Sequence, residues 1–177
     1  MNHPRRRFLK VGAGLAAGSL LPLASRAALG EARSLDFFHT HTHEKLSITY
    51  AIREAYLPDA LSELNRFLRD HYSGSIGTID PQLFDILWQV QRALGTTRPF
   101  DVISGYRCAE TNEALRARGG GGVAKKSLHM EGRAIDVRLS GVPLADLRRA
   151  AIALQGGGVG YYPGQFVHLD TGRVRQW

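Results

Sequence analysis

Ser127-Leu128-His129-Met130-Glu131-Gly132-Arg133-Ala134-Ile135-Asp136 is the stretch on which the reading of this chain turns. Its frame is Ser-x-His-x-x-Gly-x-Ala-x-Asp. Ala134 to Leu139 is strand-like, so Asp136 is expected on a strand, and His129 at the end of the loop that precedes it. Four consecutive glycines, Gly119 to Gly122, make that loop irregular. A second stretch, Phe166-Val167-His168-Leu169-Asp170, places His168 32 residues beyond Asp136. Two imidazoles and one carboxylate suit Zn²⁺, and three protein ligands leave a fourth position open for water. The spacing alone is a weak signal and favours a second reading, in which these are exposed or core-capping polar residues.

Working outward, Ser34 to Tyr50 alternates around His43-Glu44-Lys45 and predicts a hairpin. Pro58 opens a helical pattern with Leu61, Leu64, Phe67 and Leu68 on one face, expected to end at Gly74. Asp80-Pro81 is an N-cap followed by proline at the first helical position. Its helix carries Leu83, Ile86, Leu87, Val90 and Leu94 and stops at Gly95. Phe100 to Ser104 reads as a short strand and Ala109 to Arg118 as a third helix. Pro143 to Leu154 is a fourth, with Leu144, Leu147, Ala151 and Leu154 inward. Val159 to Tyr162 and Gln165 to Asp170 close the chain as a hairpin. Strands and helices do not alternate strictly. The expected fold is α+β, a small, mostly antiparallel sheet with packed helices.

The chain has 177 residues and a net charge of +7. Most of that charge lies at one end. Residues 1–27 hold Arg5, Arg6, Arg7, Lys10 and Arg26 and no acid; the remainder carries 18 basic and 16 acidic residues. The remaining arginines form no basic stripe, which argues against nucleic acid as a partner. One cysteine, Cys108, excludes an intramolecular disulfide framework. A chain of about 150 residues buries roughly 70% of its unfolded surface, enough for a core without one.

Arg5-Arg6-Arg7-Phe8-Leu9-Lys10 resembles the twin-arginine export signal. A mildly apolar run from Val11 to Ala24, broken by glycines and Pro22, is short for a permanent span. Ser25-Arg26-Ala27 offers small residues at the −3 and −1 positions of a cleavage site. The expected organisation is a signal peptide over 1–27 and a single domain over 28–177. The mature protein would lie in the periplasm, delivered by the twin-arginine machinery, with no stable membrane anchor after cleavage.

The Ser-x-His frame is similar to the signature of the zinc D-Ala-D-Ala metallopeptidases. That group includes lysostaphin-type relatives, the hedgehog fold and the penicillin-insensitive murein endopeptidases. Within it the chain most resembles the twin-arginine-exported murein endopeptidase K branch, and six ordered blocks carry the likeness. They are Leu35 to Tyr50; Ser104-Gly105-Tyr106-Arg107 with Asn112 and Leu115; the Ser-x-His frame; Gly157 to Tyr162; Phe166 to Gly172; and the end at Arg175 and Trp177. The resemblance implies a hedgehog/DD-peptidase-like fold. It implies Zn²⁺ on His129, Asp136 and His168, and peptidoglycan cross-linking peptides as substrate. It also makes Arg107 the candidate cation for the oxyanion of an attacked carbonyl; the alternative is a surface arginine at a strand end.

The general base departs from the group's pattern. Many relatives carry Glu three residues before the last His ligand, or His two before it. Gln165 and Phe166 stand there instead, and neither takes a proton from water at neutral pH. Residues two apart on a strand share a face, so Asp170 is expected beside His168, as base or as holder of its tautomer. Glu131 is a weaker candidate. His39, His41 and His43 at a spacing of two would share one strand face, as a local feature of the hairpin or as a second metal site. The resulting function is a zinc-dependent murein endopeptidase. The missing Glu keeps a second reading open, an exported cell-wall binding protein with the peptidase fold and no hydrolysis.

Overall fold

The computed structural model describes residues 32–119 and 122–177. The twin-arginine signal expected over residues 1–27 lies outside the described residues. Among those described, no helix is long and apolar enough to cross a membrane.

The chain begins with β1 (Ala32–His39), β2 (Lys45–Ile52), the two-residue β3 (Ala55–Tyr56) and α1 (Pro58–Phe67). Then come α2 (Pro81–Ala93), β4 (Phe100–Ser104), α3 (Ala109–Ala117) and a 3₁₀ turn over Leu128–Glu131. β5 (Ala134–Leu139), α4 (Leu144–Leu154), β6 (Gly158–Tyr162), β7 (Phe166–Asp170) and β8 (Arg175–Gln176) complete it. The fold is α+β, with four helices and one eight-stranded sheet among the described residues, in the order β3-β2-β1-β4-β5-β7-β6-β8. The β1–β4 and β6–β8 pairs are parallel; β1–β2, β2–β3, β4–β5, β5–β7 and β6–β7 are antiparallel. The sheet is larger than the small one expected. β3 and β8 have two residues each, too few to show a period of two in the sequence.

α2 and α4 pack on each other, α2 against β1 and α4 against β5, β6 and β7. Leu83, Phe84, Leu87 and Val90 of α2 and Leu147 of α4 are fully buried in the core, with Phe100, Val102, Ile135 and Val137 from the sheet. α2 starts as its sequence implies. Asp80 Oδ1 accepts from Gln82 N at 3.0 Å, and Pro81 needs no partner for a missing N–H. Asp80 also reaches the sheet: its N donates to Gly132 O, and its Oδ2 accepts from Thr171 Oγ1 at 2.7 Å. The start of α2 is thereby tied to the ends of β5 and β7.

α1 ends at Phe67, seven residues before the glycine expected to stop it. The cause is Asp70. Its buried carboxylate accepts from the backbone N–H groups of Tyr72, Ser73 and Cys108, an Asx-type turn that competes with further helix. Cys108 is buried and caps α3, its Sγ accepting from Thr111 N at 3.5 Å. Between β6 and β7 the turn is tight, with Gly164 at φ +71°.

Candidate active site

β5 and β7 are antiparallel neighbours, and Asp136 lies directly across from His168. Alternation sends Ile135, Val137, Val167 and Leu169 into the core, so Asp136, His168 and Asp170 share the other face. His129 arrives from the 3₁₀ turn. Ser127 Oγ accepts from His129 N, and Gly132, at φ +66°, ends the turn. A Cβ on Gly132 would meet Thr78 O at 1.9 Å, so glycine is required there.

His129, Asp136 and His168 bring one ligand atom each to within 4.8 Å of the others. His129 and Asp136 are 2% exposed. His129 Nδ1 lies 2.7 Å from Gly105 O. A carbonyl only accepts, so the Nδ1 proton is spent there and Nε2 keeps its lone pair. That Nε2 is 3.3 Å from Asp136 Oδ1. His168 is bracketed by carboxylates, with Nδ1 2.8 Å from Asp136 Oδ1 and Nε2 3.1 Å from Asp170 Oδ2.

Electrostatics follow from these partners. Burial pushes the His129 pKa down, which favours a neutral imidazole. Burial opposes the charged form of His168 too, but hydrogen bonds to Asp136 and Asp170 outweigh it and raise its pKa. Burial also disfavours the Asp136 carboxylate, yet the two imidazoles hold its pKa far below the ordinary range. Asp136 Oδ1 therefore sits, as a carboxylate oxygen, between two imidazole nitrogens. Two neutral nitrogens and one hard oxygen fit Zn²⁺, which would displace the proton from His168 Nδ1.

Arg107 and Asp170 stand around this trio. Arg107 Nη2 is 2.5 Å from Asp136 Oδ2, its Nε donates to Ser104 Oγ at 2.8 Å, and its backbone N donates to His129 O. Ser104-Gly105-Tyr106-Arg107 is thus woven into the site, and Gly105 has no room for a side chain, since a Cβ would lie 2.6 Å from Leu68 O. Asp170 lies beside His168, but its carboxylate is crowded with donors. Oδ1 accepts from Gly158 N, Gly172 N and Arg175 Nη1; Oδ2 accepts from Arg175 Nη2 at 2.7 Å and contacts His168. Burial alone would raise its pKa; these bonds overcome that and hold it well below the carboxylate range. So strongly stabilised a carboxylate is a poor proton acceptor. The part played by Arg175 and by the Gly105 carbonyl was missed from sequence. A main-chain acceptor has no signature there, and a bidentate arginine five residues from its partner looks like any surface residue.

The trio and Arg107 line a cavity of about 440 Å³. Gln165 and Phe166, where a base was sought, also line it. Trp177 packs 5.3 Å from the His168 ring. Glu131 instead pairs with Arg133 on the exposed side of the turn.

The hairpin histidines gather elsewhere. β1 ends at His39, so His41 and His43 fall in the turn and share no strand face with it. His43 has φ +60°. His39 is fully buried, and His41 stacks on His71, not on His43, at 4.1 Å. Among the described residues, only His129, Asp136 and His168 form a three-residue group with metal-binding spacing.

The family model for the peptidoglycan L,D-endopeptidase MepK matches residues 27–177. The chain belongs to the MepK family. It is 42% identical over 176 residues to the peptidoglycan L,D-endopeptidase MepK of Escherichia coli K12, covering 98% of this chain and 96% of that one. The same identity and coverage hold for the Shigella flexneri protein of that name. A probable MepK of Haemophilus influenzae is 40% identical over 178 residues, 98% of this chain and 95% of that one. Membership of the MepK family makes this chain a peptidoglycan endopeptidase, a hydrolase.

Proposed function

We propose that the chain is a zinc-dependent endopeptidase of the periplasm that cuts the L,D-type peptide bonds its relatives are named for, with His129, Asp136 and His168 as metal ligands. The observation that carries the metal is the pair of outer hydrogen bonds. Gly105 O takes the Nδ1 proton of His129 and Asp170 takes the Nε2 proton of His168, so both free nitrogens are aimed at Asp136 Oδ1. Such outer partners are how proteins orient metal-binding imidazoles. Bound there, Zn²⁺ supplies a polarised scissile carbonyl and a water whose pKa is near neutral.

The remaining roles belong to side chains. Arg107 steadies the oxyanion, and its hold on Asp136 Oδ2 turns Oδ1 toward the imidazoles. Asp170, given its saturated carboxylate, holds the His168 tautomer and does not act as the base. His129 and Asp136 are almost fully buried, and the lower effective dielectric around them strengthens each of these interactions.

Zinc-loaded protein incubated with purified cross-linked muropeptides should release new termini, identified by the masses of the products. Products of D-Ala–diaminopimelate cleavage alone would overturn the L,D assignment; no products, with sacculi still bound, would overturn hydrolysis. Export by the twin-arginine route rests on Arg5-Arg6-Arg7-Phe8-Leu9-Lys10. Replacing Arg5 and Arg6 by Lys should leave precursor in the cytoplasm, and unchanged export would refute the route.

A further inference from the structure

The geometry points to a carboxylate-binding subsite, formed by Arg118 and Lys126, that holds the substrate on the amine side of the scissile bond; it rests on the peptidase reading above. Four cationic side chains line the cavity, against one carboxylate, Asp136. Two of the four are committed. Arg107 is bonded to Asp136 and Ser104, and Arg175 to Asp170. Arg118 follows α3, and Lys126 directly precedes Ser127; both are exposed, and neither side chain has an ionic or hydrogen-bond partner among the described residues. Uncompensated positive charge in a partly walled cleft is complementary to an anion.

Gly122, Val123 and Ala124, just before Lys126, are part of the wall. Gly122, at φ +103°, sits where a Cβ would be 3.6 Å from Tyr162 Oη, so the chain lies close to β6 four residues before Lys126. Both cations line the cavity, Lys126 one residue before Ser127 and three before His129, and Arg118 just past the end of α3. An arginine fork and a lysine point charge together suit the two oxygens of one carboxylate.

A diaminopimelate cross-link carries such a group. The carbon that bears the linked amine also bears a carboxylate, which lies two bonds from the nitrogen that leaves. Side chains that hold this carboxylate hold the leaving amine in place, and an amidated or absent carboxylate forfeits the contact.

The test uses zinc-loaded protein and two disaccharide-peptide dimers, identical except that this carboxylate is free in one and amidated in the other. Wild type should cut the free form with kcat/KM about tenfold higher, the worth of roughly one charge-assisted hydrogen bond at a partly exposed site. The difference should lie mainly in KM and shrink in high salt. The Arg118→Ala/Lys126→Ala double variant, checked for one zinc per chain, should cut both dimers at equal rates. A wild type that makes no distinction overturns the inference, and so does a double variant that keeps the preference. If wild type cuts neither dimer, the peptidase reading itself has failed and the inference falls with it.

Discussion

Two groups of histidines lie among the described residues, and only one of them has the spacing of a metal site. His39, His41 and His71 are as close-packed as His129 and His168, with His41 and His71 stacked face to face. They differ in what surrounds the rings. His129 and His168 each give one nitrogen to an outer acceptor and turn the other to a shared carboxylate. In the hairpin group, His39 Nδ1 instead accepts from the backbone N–H of His41 and Thr42, while Nε2 of His39 and of His71 has no partner. Nearby carboxylates are engaged elsewhere, Glu44 with Arg69 and Asp70 with three backbone N–H groups. A metal centre is made by the acceptors that orient imidazoles and the carboxylate they converge on, more than by the number of imidazoles.

The contrast is broken most sharply by removing ligands. His129→Ala with His168→Ala should abolish both zinc binding and cleavage, whereas His41→Ala should leave one zinc per chain and kcat within about twofold. Metal analysis of the purified variants, beside muropeptide digestion, checks both. Full zinc occupancy in the double variant would sink the ligand assignment. Arg107→Ala should lower kcat and kcat/KM together by about 10²–10³, the usual worth of a group that stabilises an oxyanion.

Asp170→Asn sharpens the comparison, since it weakens one outer acceptor and keeps the ligands. Zinc affinity should fall about 10–100-fold, the usual cost of losing such a partner, and excess zinc should restore kcat. If zinc stays bound and kcat falls about 10²–10⁴-fold, Asp170 is the base after all.

The smallest effect concerns the hairpin group and pH. Burial, then the neighbouring imidazoles, lower the His39 pKa to about 4 from 6.5. Below pH 6.5 the unfolded chain takes up a proton that folded His39 refuses, so stability falls as pH drops from 6.5 toward 4. Between pH 7 and 5 the loss is about 2 kcal/mol for this buried ring. The melting temperature, which shifts by roughly 2–4 °C per kcal/mol in a domain of this size, should fall by several degrees over that range. A His39→Gln variant should make the dependence shallower, the remainder coming from His71, whose pKa burial also lowers to about 4; an unchanged slope would refute the attribution.

These contrasts also mark what a sequence can disclose. The hydrophobic periods of α2, α4, β5 and β7 are strong, because each buries one face against the same core. His129, Asp136 and His168 could be named from their frame, and alternation correctly set Asp170 beside His168. The donors that load Asp170 could not, because Gly158 and Gly172 act through main-chain N–H groups. The Asp170–His168 spacing suggests a base; the density of donors around Asp170 suggests an anchor. In the hairpin, three histidines in alternation looked like one strand face. A turn that begins at Thr40 separates them, and His71, 32 residues after His39, takes the place that alternation gave to His43.

The direct pairing of Asp136 with His168 gives the two loops bordering the cleft opposite tolerance for changes in length. The Pro163-Gly164 turn counts residues for the β6–β7 ladder, and β7 is in turn paired with β5. One residue gained or lost there slides β7 by one position, turning His168 into the core and Leu169 toward the cleft. The glycine run after α3 counts nothing, because no ladder follows it until Ala134 and the Ser127 cap restarts the chain before His129. Insertions that enlarge or reshape the cleft can therefore accumulate beside Arg118, while the turn between β6 and β7 must keep its length.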